Sequence, residues 1–186
     1  MGKYIRIIGT AIILAMAAMT PMSQHPAIAA SAAELNREAA AALKQLYDSE
    51  PAAKALGAKT KGILVFPSII KAGFIVGGQY GEGALRKGDR TVAYYNTVAA
   101  SYGLQAGAQS FGYALFFMND SAMKYLDKSD GWEIGTGPSI VIVDKGKAGG
   151  ITTTTAQADV YAFFFDQQGL MAGLGLQGSK ISRINK

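Results

Sequence analysis

Lys71 stands before a run of glycines, Lys71-Ala-Gly-Phe-Ile-Val-Gly-Gly-Gln-Tyr-Gly-Glu-Gly83. A cation beside clustered backbone N–H groups is the chemistry of phosphate binding, so this stretch is the first candidate site. A phosphate-cradling loop, however, needs G-x-x-x-x-G-K-[ST], with the lysine after the glycines, and that string is absent. Gly173 to Gly178 spells G-x-G-x-x-G, but only eight residues follow it. Dinucleotide binding would require a helix, a second strand and an acid about 20 positions on. Gly81 with Gly83, and Gly173 with Gly175, instead alternate within strand-like text. One face there carries no side chain, and the expectation is a helix or neighbouring strand packed directly on backbone.

The remaining chemistry is bounded by what the chain lacks. It has no cysteine, and its one histidine, His25, precedes the region that reads as a folded domain. Thiolate and Ser-His nucleophiles, His-ligated zinc, haem and iron–sulfur centres all need groups absent from the rest of the chain. No cofactor and no metal site are expected. Carboxylates could serve a hydrolase as a pair, but Asp48, Glu50, Asp89, Asp120, Asp127, Asp130, Asp144 and Asp166 are scattered at turns and helix ends. They read as solvated turn residues, and no catalytic residue is assigned. Cations are more suggestive. Lys54, Lys59, Lys61, Lys71, Arg86, Lys87 and Arg90 fall between Pro51 and Arg90 against Glu82 and Asp89 alone, and Lys180, Arg183 and Lys186 form a second cluster without an acid in sequence. Such groups suit an anionic surface if they share a face, each being worth about 1 kcal/mol beside anionic lipid. Aromatic runs such as Ala93–Tyr95 and Phe163–Phe165 lie in strand-like text and read as core, and no nucleic-acid motif accompanies them.

The elements that must position these groups begin after an N-terminal leader. Lys3 and Arg6 precede the apolar run Ile7 to Met19, thirteen residues, and Ala27-Ile28-Ala29 offers small residues for a signal peptidase. The run is shorter than the roughly 20 residues that span a bilayer. Residues 1–29 are therefore expected to be a signal peptide, with export to the periplasm or outer cell envelope. Without Lys3 and Arg6 the 18 basic residues fall to 16 against 13 acids, a net +3. Residues 30–186 are expected to form one domain, with a helical segment at 30–57 and a sheet-rich core at 59–184.

From Ser31 to Tyr47, Leu35, Ala39, Ala42, Leu43 and Leu46 fall on one helical stripe, and Ser31 with Glu34 makes a capping box. This stripe suits a lid on the core or a surface-seeking amphipathic helix. A short helix should follow, with Pro51 in its first turn and Gly57 at its end. After Lys61 the period becomes strand-like: Gly62–Phe66, Gly73–Tyr80, Thr91–Val98, Tyr102–Gln109, Phe111–Met118, Ser139–Asp144 and Asp159–Asp166. Hairpin turns are expected at Lys87-Gly-Asp-Arg90 and at Phe165–Leu170, and one helix at Asn119–Asp127. The fold class is α+β: a curved, largely antiparallel, barrel-like sheet with N-terminal helices and one inserted helix.

Three ordered blocks then carry a resemblance. KGILVFPSIIKAGFIVGGQYGEGAL, SYGLQAGAQSFGYALFFMNDSAMKYL and DVYAFFFDQQGLMAGLGLQGSKI resemble the signature blocks of the SYLF domain family, related to a yeast-type actin-binding domain. Phe164, Met171 and Gln177 stand where the family often has Ser, Phe and Glu. The resemblance implies a non-enzymatic module that binds anionic phospholipid, phosphoinositides in eukaryotic relatives, some of which also bind actin. An exported bacterial member would meet phosphatidylglycerol or cardiolipin instead of actin. The helix before the first block is a membrane-contact element in some relatives. A structural or scaffolding envelope protein is the alternative reading, with protein partners unspecified.

Overall fold

The computed structural model describes residues 30–74, 76–102, 107–128, 130–143, 157–169, 176 and 178–186. Residues 1–29, expected above to be a leader, and Met171, Gly173, Gly175 and Gln177 lie outside these residues. Helix α1 spans Ala32–Ser49; the Ser31 hydroxyl accepts from the Glu34 N–H at 3.2 Å, and the expected stripe of Leu35, Ala39, Ala42, Leu43 and Leu46 is buried. Helix α2, Pro51–Gly57, begins on its proline, whose fixed φ and missing N–H suit a first turn.

Four long strands follow: β1 (Gly62–Phe74), β2 (Val76–Lys87), β3 (Arg90–Tyr102) and β4 (Gly107–Phe117). Helix α3 (Asp120–Met123) continues into a 3-10 turn, Lys124–Asp127, and is capped by Asn119, whose side-chain oxygen accepts from the Ala122 N–H at 2.8 Å. Then come β5 (Trp132–Glu133), β6 (Ile140–Val143), β7 (Val160–Gly169) and β8 (Lys180–Ile184). They form one eight-stranded sheet in the order β5-β8-β3-β2-β1-β4-β7-β6, antiparallel except for β6 beside β7. The sheet is the expected curved, largely antiparallel one, curled into a half-barrel with β5 and β6 at its ends.

Several boundaries differ from the sequence reading: the expected strand Tyr102–Gln109 is divided between the end of β3 and the start of β4, its residues 103–106 lying outside the described ones. β1 does not end at Phe66: it passes through Pro67 on a bulge, with the register shifting between Val65 and Ser68, which accommodates a residue that has no ladder donor. The expected strand Gly73–Tyr80 is a hairpin, since Phe74 pairs with Val76 and Gly73 with Gly77. The expected turn at Phe165–Leu170 is a second bulge, because β7 runs on to Gly169 and Asp166 takes φ 51° where the register with β4 slips.

Period-2 alternation gives the sheet two buried faces. α1 and α2 pack on one, against Ile63, Val65, Ala84, Ala114, Phe116 and Phe163. The opposite face gathers Leu64, Phe66, Ile69, Tyr113, Phe117 and Trp132. Gly81 and Gly83 open that face: a Cβ at Gly81 would collide with the Ile69 side chain, and one at Gly83 would lie 2.6 Å from the Phe66 ring and 2.7 Å from the Val65 carbonyl. The alternating glycines thus admit the neighbouring strand's side chains. Every described core residue lies between Leu35 and Ile181.

Candidate functional site

A cleft of about 550 Å³ opens where the side of α1, the exit of α2, the start of β1 and the β2–β3 turn meet. Its charged lining is Lys44, Lys61, Arg86 and Lys87 against Asp89. Arg86 and Lys87 end β2 at the Lys87-Gly-Asp-Arg90 turn, with Gly88 at φ 59°, and Asp89 of that turn completes the charged lining. Arg86 donates from one terminal nitrogen to the Asp89 carbonyl at 3.0 Å, while its Nε–H is buried without a partner. Lys44 is paired with Asp48 one helical turn on. Tyr47 forms a wall and rests on Gly57, where any Cβ would collide with its hydroxyl. Burial pushes the Tyr47 phenol above its ordinary pKa, and the Arg86 charge draws it partly back. A cationic cleft with an unsatisfied buried guanidinium donor can take an anion bearing several oxygens.

The structure thus brings together Lys61, Arg86 and Lys87 from the first predicted set. Arg90 pairs with Lys87 across the hairpin; Lys54 and Lys59 are exposed on and just after α2. Lys71 is elsewhere, far along β1 between Gln79 and Gln109. The second predicted cluster is not acid-free in space. Arg183 faces the Asp127 carboxylate at 3.7 Å, and Lys180 is cross-strand from Glu133. The Lys186 ammonium pairs with Glu82 at 2.6 Å and donates to the Ala30 carbonyl. Its side chain is only 7% exposed, although the residue as a whole, at the chain end, is exposed. Lys44 and Tyr47 were not singled out in sequence, although their spacing from Leu43 puts them at the edge of the buried stripe.

A second cleft, of about 580 Å³, lies between α1 and β7 and is lined by Glu50 and Asp166 among aromatic residues. Asp166 accepts from the Gln45 amide at 2.8 Å, so its carboxylate ties helix to sheet. Among the described residues no three His, Cys, Asp or Glu cluster as metal ligands would, and no helix is long and apolar enough to cross a membrane.

No curated protein matches the chain. The profile of the family described as Ysc84, Las17-binding protein actin regulator, matches residues 98–186. The match begins within β3 and takes in β4 to β8, the half that builds both faces of the sheet beyond its first hairpin. That match, over just under half of the chain, is consistent with a SYLF domain family member.

Proposed function

We propose that the protein is an exported, non-enzymatic binder of anionic phospholipid that associates peripherally with the cell envelope through its basic cleft. The observation that carries this reading is Arg86: it lines a cleft with Lys61 and Lys87 and keeps a buried Nε–H without a partner. A phosphodiester head group supplies the acceptor oxygens that such a donor set takes. Arg90, Lys59 and Lys54 extend the positive field around the cleft mouth. The stripe of α1 is spent on the sheet, so α1 serves as the cleft's wall and not as a free amphipathic helix.

Co-sedimentation of residues 30–186 with phosphatidylcholine vesicles, with and without phosphatidylglycerol, tests the proposal. Pelleting with the anionic vesicles should exceed pelleting with the neutral ones, and the excess should vanish at high salt and in Lys61→Glu/Arg86→Glu/Lys87→Glu. No excess at low salt would overturn it. The family's description as an actin regulator then favours a scaffold acting through protein contacts.

A further inference from the structure

On the helix face, the cover of α1 stops at a polar row. Ser68, Glu82 and Asn96 stand opposite one another across β1, β2 and β3. Glu82 holds the Lys186 ammonium that anchors the start of α1. Two residues further along the same strands the row is Ile70, Tyr80 and Val98, exposed by 62%, 49% and 47%. Beyond it Ala72, Gly78 and Ala100 are exposed, and Val76 on β2 is 57% exposed. Among the described residues, four of the six exposed large hydrophobic ones fall in this block, so it is a patch and not a scatter.

Its charge is as distinctive as its apolarity. Between Ser68 and Gly81 the only charged residue is Lys71, and between Asn96 and Met118 there is none. A solvated sheet face would alternate apolar with polar; here the outward positions are apolar or small. No carboxylate needs to be desolvated if the block leaves water, and each buried apolar Å² returns about 25 cal/mol. Tyr80 marks the margin, its ring among apolar neighbours and its hydroxyl donating to Glu82 at 2.9 Å, the amphipathic placement aromatic residues take at a bilayer interface. Val76 is ten residues from Arg86 on β2, about 33 Å at ~3.3 Å per residue. The block and the basic cleft are opposite poles of the same strands.

The geometry points to a second lipid contact: the pole formed by Ile70, Val76, Tyr80 and Val98 inserts into the interfacial region of a bilayer, independently of head-group charge. This rests on the lipid reading above for its partner, and differs from it in surface and in salt dependence. The absence of cysteine makes the test direct. Residues 30–186, which carry both cores and all eight described strands, would be prepared as Val76→Cys and as Arg90→Cys, each bearing a polarity-sensitive dye. The dye at position 76 should shift to the blue with pure phosphatidylcholine vesicles and keep that shift at high salt. The dye at position 90 should respond only to vesicles with phosphatidylglycerol and lose its response in salt. Adding Val98→Asp should remove the shift at position 76 and leave the response at position 90. Silence at position 76 with a response at 90 would overturn the second contact alone; silence at both would overturn the lipid reading with it. A shift at 76 that follows protein concentration without lipid would assign the pole to a second copy of the chain and overturn the inference.

Discussion

Lys186 offers a direct separation of structural from ligand-binding cations. Its ammonium lies 2.6 Å from a Glu82 oxygen, with the two side chains 7% and 12% exposed, while Tyr80 donates to the other Glu82 oxygen at 2.9 Å. Lys186→Met would leave the Glu82 carboxylate desolvated with one neutral donor and release Ala30, just ahead of α1. Breaking one side of a buried pair costs about 3–5 kcal/mol; the residual exposure here argues for the lower end, about 3 kcal/mol. For a domain of this size each kcal/mol moves Tm by about 2–4 °C, so the variant should melt roughly 6–12 °C lower. Lys186→Met/Glu82→Gln should recover most of that loss, because no charge is stranded and the Gln oxygen still accepts from Tyr80. Thermal melts of the four proteins in a double-mutant cycle give the coupling. A single variant that melts with the parent, or a double variant no better than the sum of the singles, would refute the reasoning. Loss of vesicle binding with an unchanged melt would make Lys186 a head-group cation after all.

Gly83→Ala places a methyl 2.6 Å from the Phe66 ring and 2.7 Å from the Val65 carbonyl, and should destabilise by about 1–3 kcal/mol in denaturant titration. Tyr113→Phe should be neutral or stabilising by about 1 kcal/mol in the same assay: the phenol is fully buried, no hydrogen-bond partner meets it, and burial raises its pKa. Thr97 is close enough to pull that pKa slightly down without reaching hydrogen-bond geometry. Asp159 accepts from the Ser139 N–H and hydroxyl and from the Asn119 amide, which holds its carboxyl below the usual range. A lowered folded pKa gives stability that is complete above the unfolded pKa and is lost as pH falls through the folded one. Asp159→Asn should therefore lower Tm at neutral pH, with the deficit shrinking in acid.

The helical layer was legible because its signals are local. Five residues at a 3.6 period, Ser31 as cap and Pro51 in a first turn settle α1 and α2 without reference to the rest of the chain. Strand text was legible as text but not in its punctuation. The β1–β2 turn falls between Phe74 and Val76 in an apolar run with no Asn-Gly or Asp-Gly, whereas the β2–β3 turn at Gly88-Asp89 announces itself. Pro67 and Asp166 resemble strand ends, yet both sit in bulges, because pairing on the two sides carries the strand through. The site divided the same way. Arg86 and Lys87 sit at a turn that sequence shows, whereas Lys61 joins them only through the β1–β2 pairing, where Ile63 stands opposite Arg86. The partner of Lys186 is 104 positions away and reachable only through the fold. The apolar pole was hidden for a different reason: Ile70, Tyr80 and Val98 alternate as core residues do, and nothing local tells which half of a long strand the helix covers.

The sheet order also sets when the molecule can be finished. β3 ends at Tyr102, yet the strand that closes its outer edge is β8, Lys180–Ile184, and β8 in turn carries the short β5 with Trp132. The hairpin of β1 and β2 is local and quick to close; the β3–β8 ladder must wait for most of the chain and bear a larger loop-closure cost. In refolding, the emission of Trp132, buried against Phe117 once β5 is seated, should therefore follow the slow phase and lag the hydrogen exchange protection of β1 and β2. Until β8 is seated, the outer edge of β3 stays open and the core around Trp132 lacks Ile181.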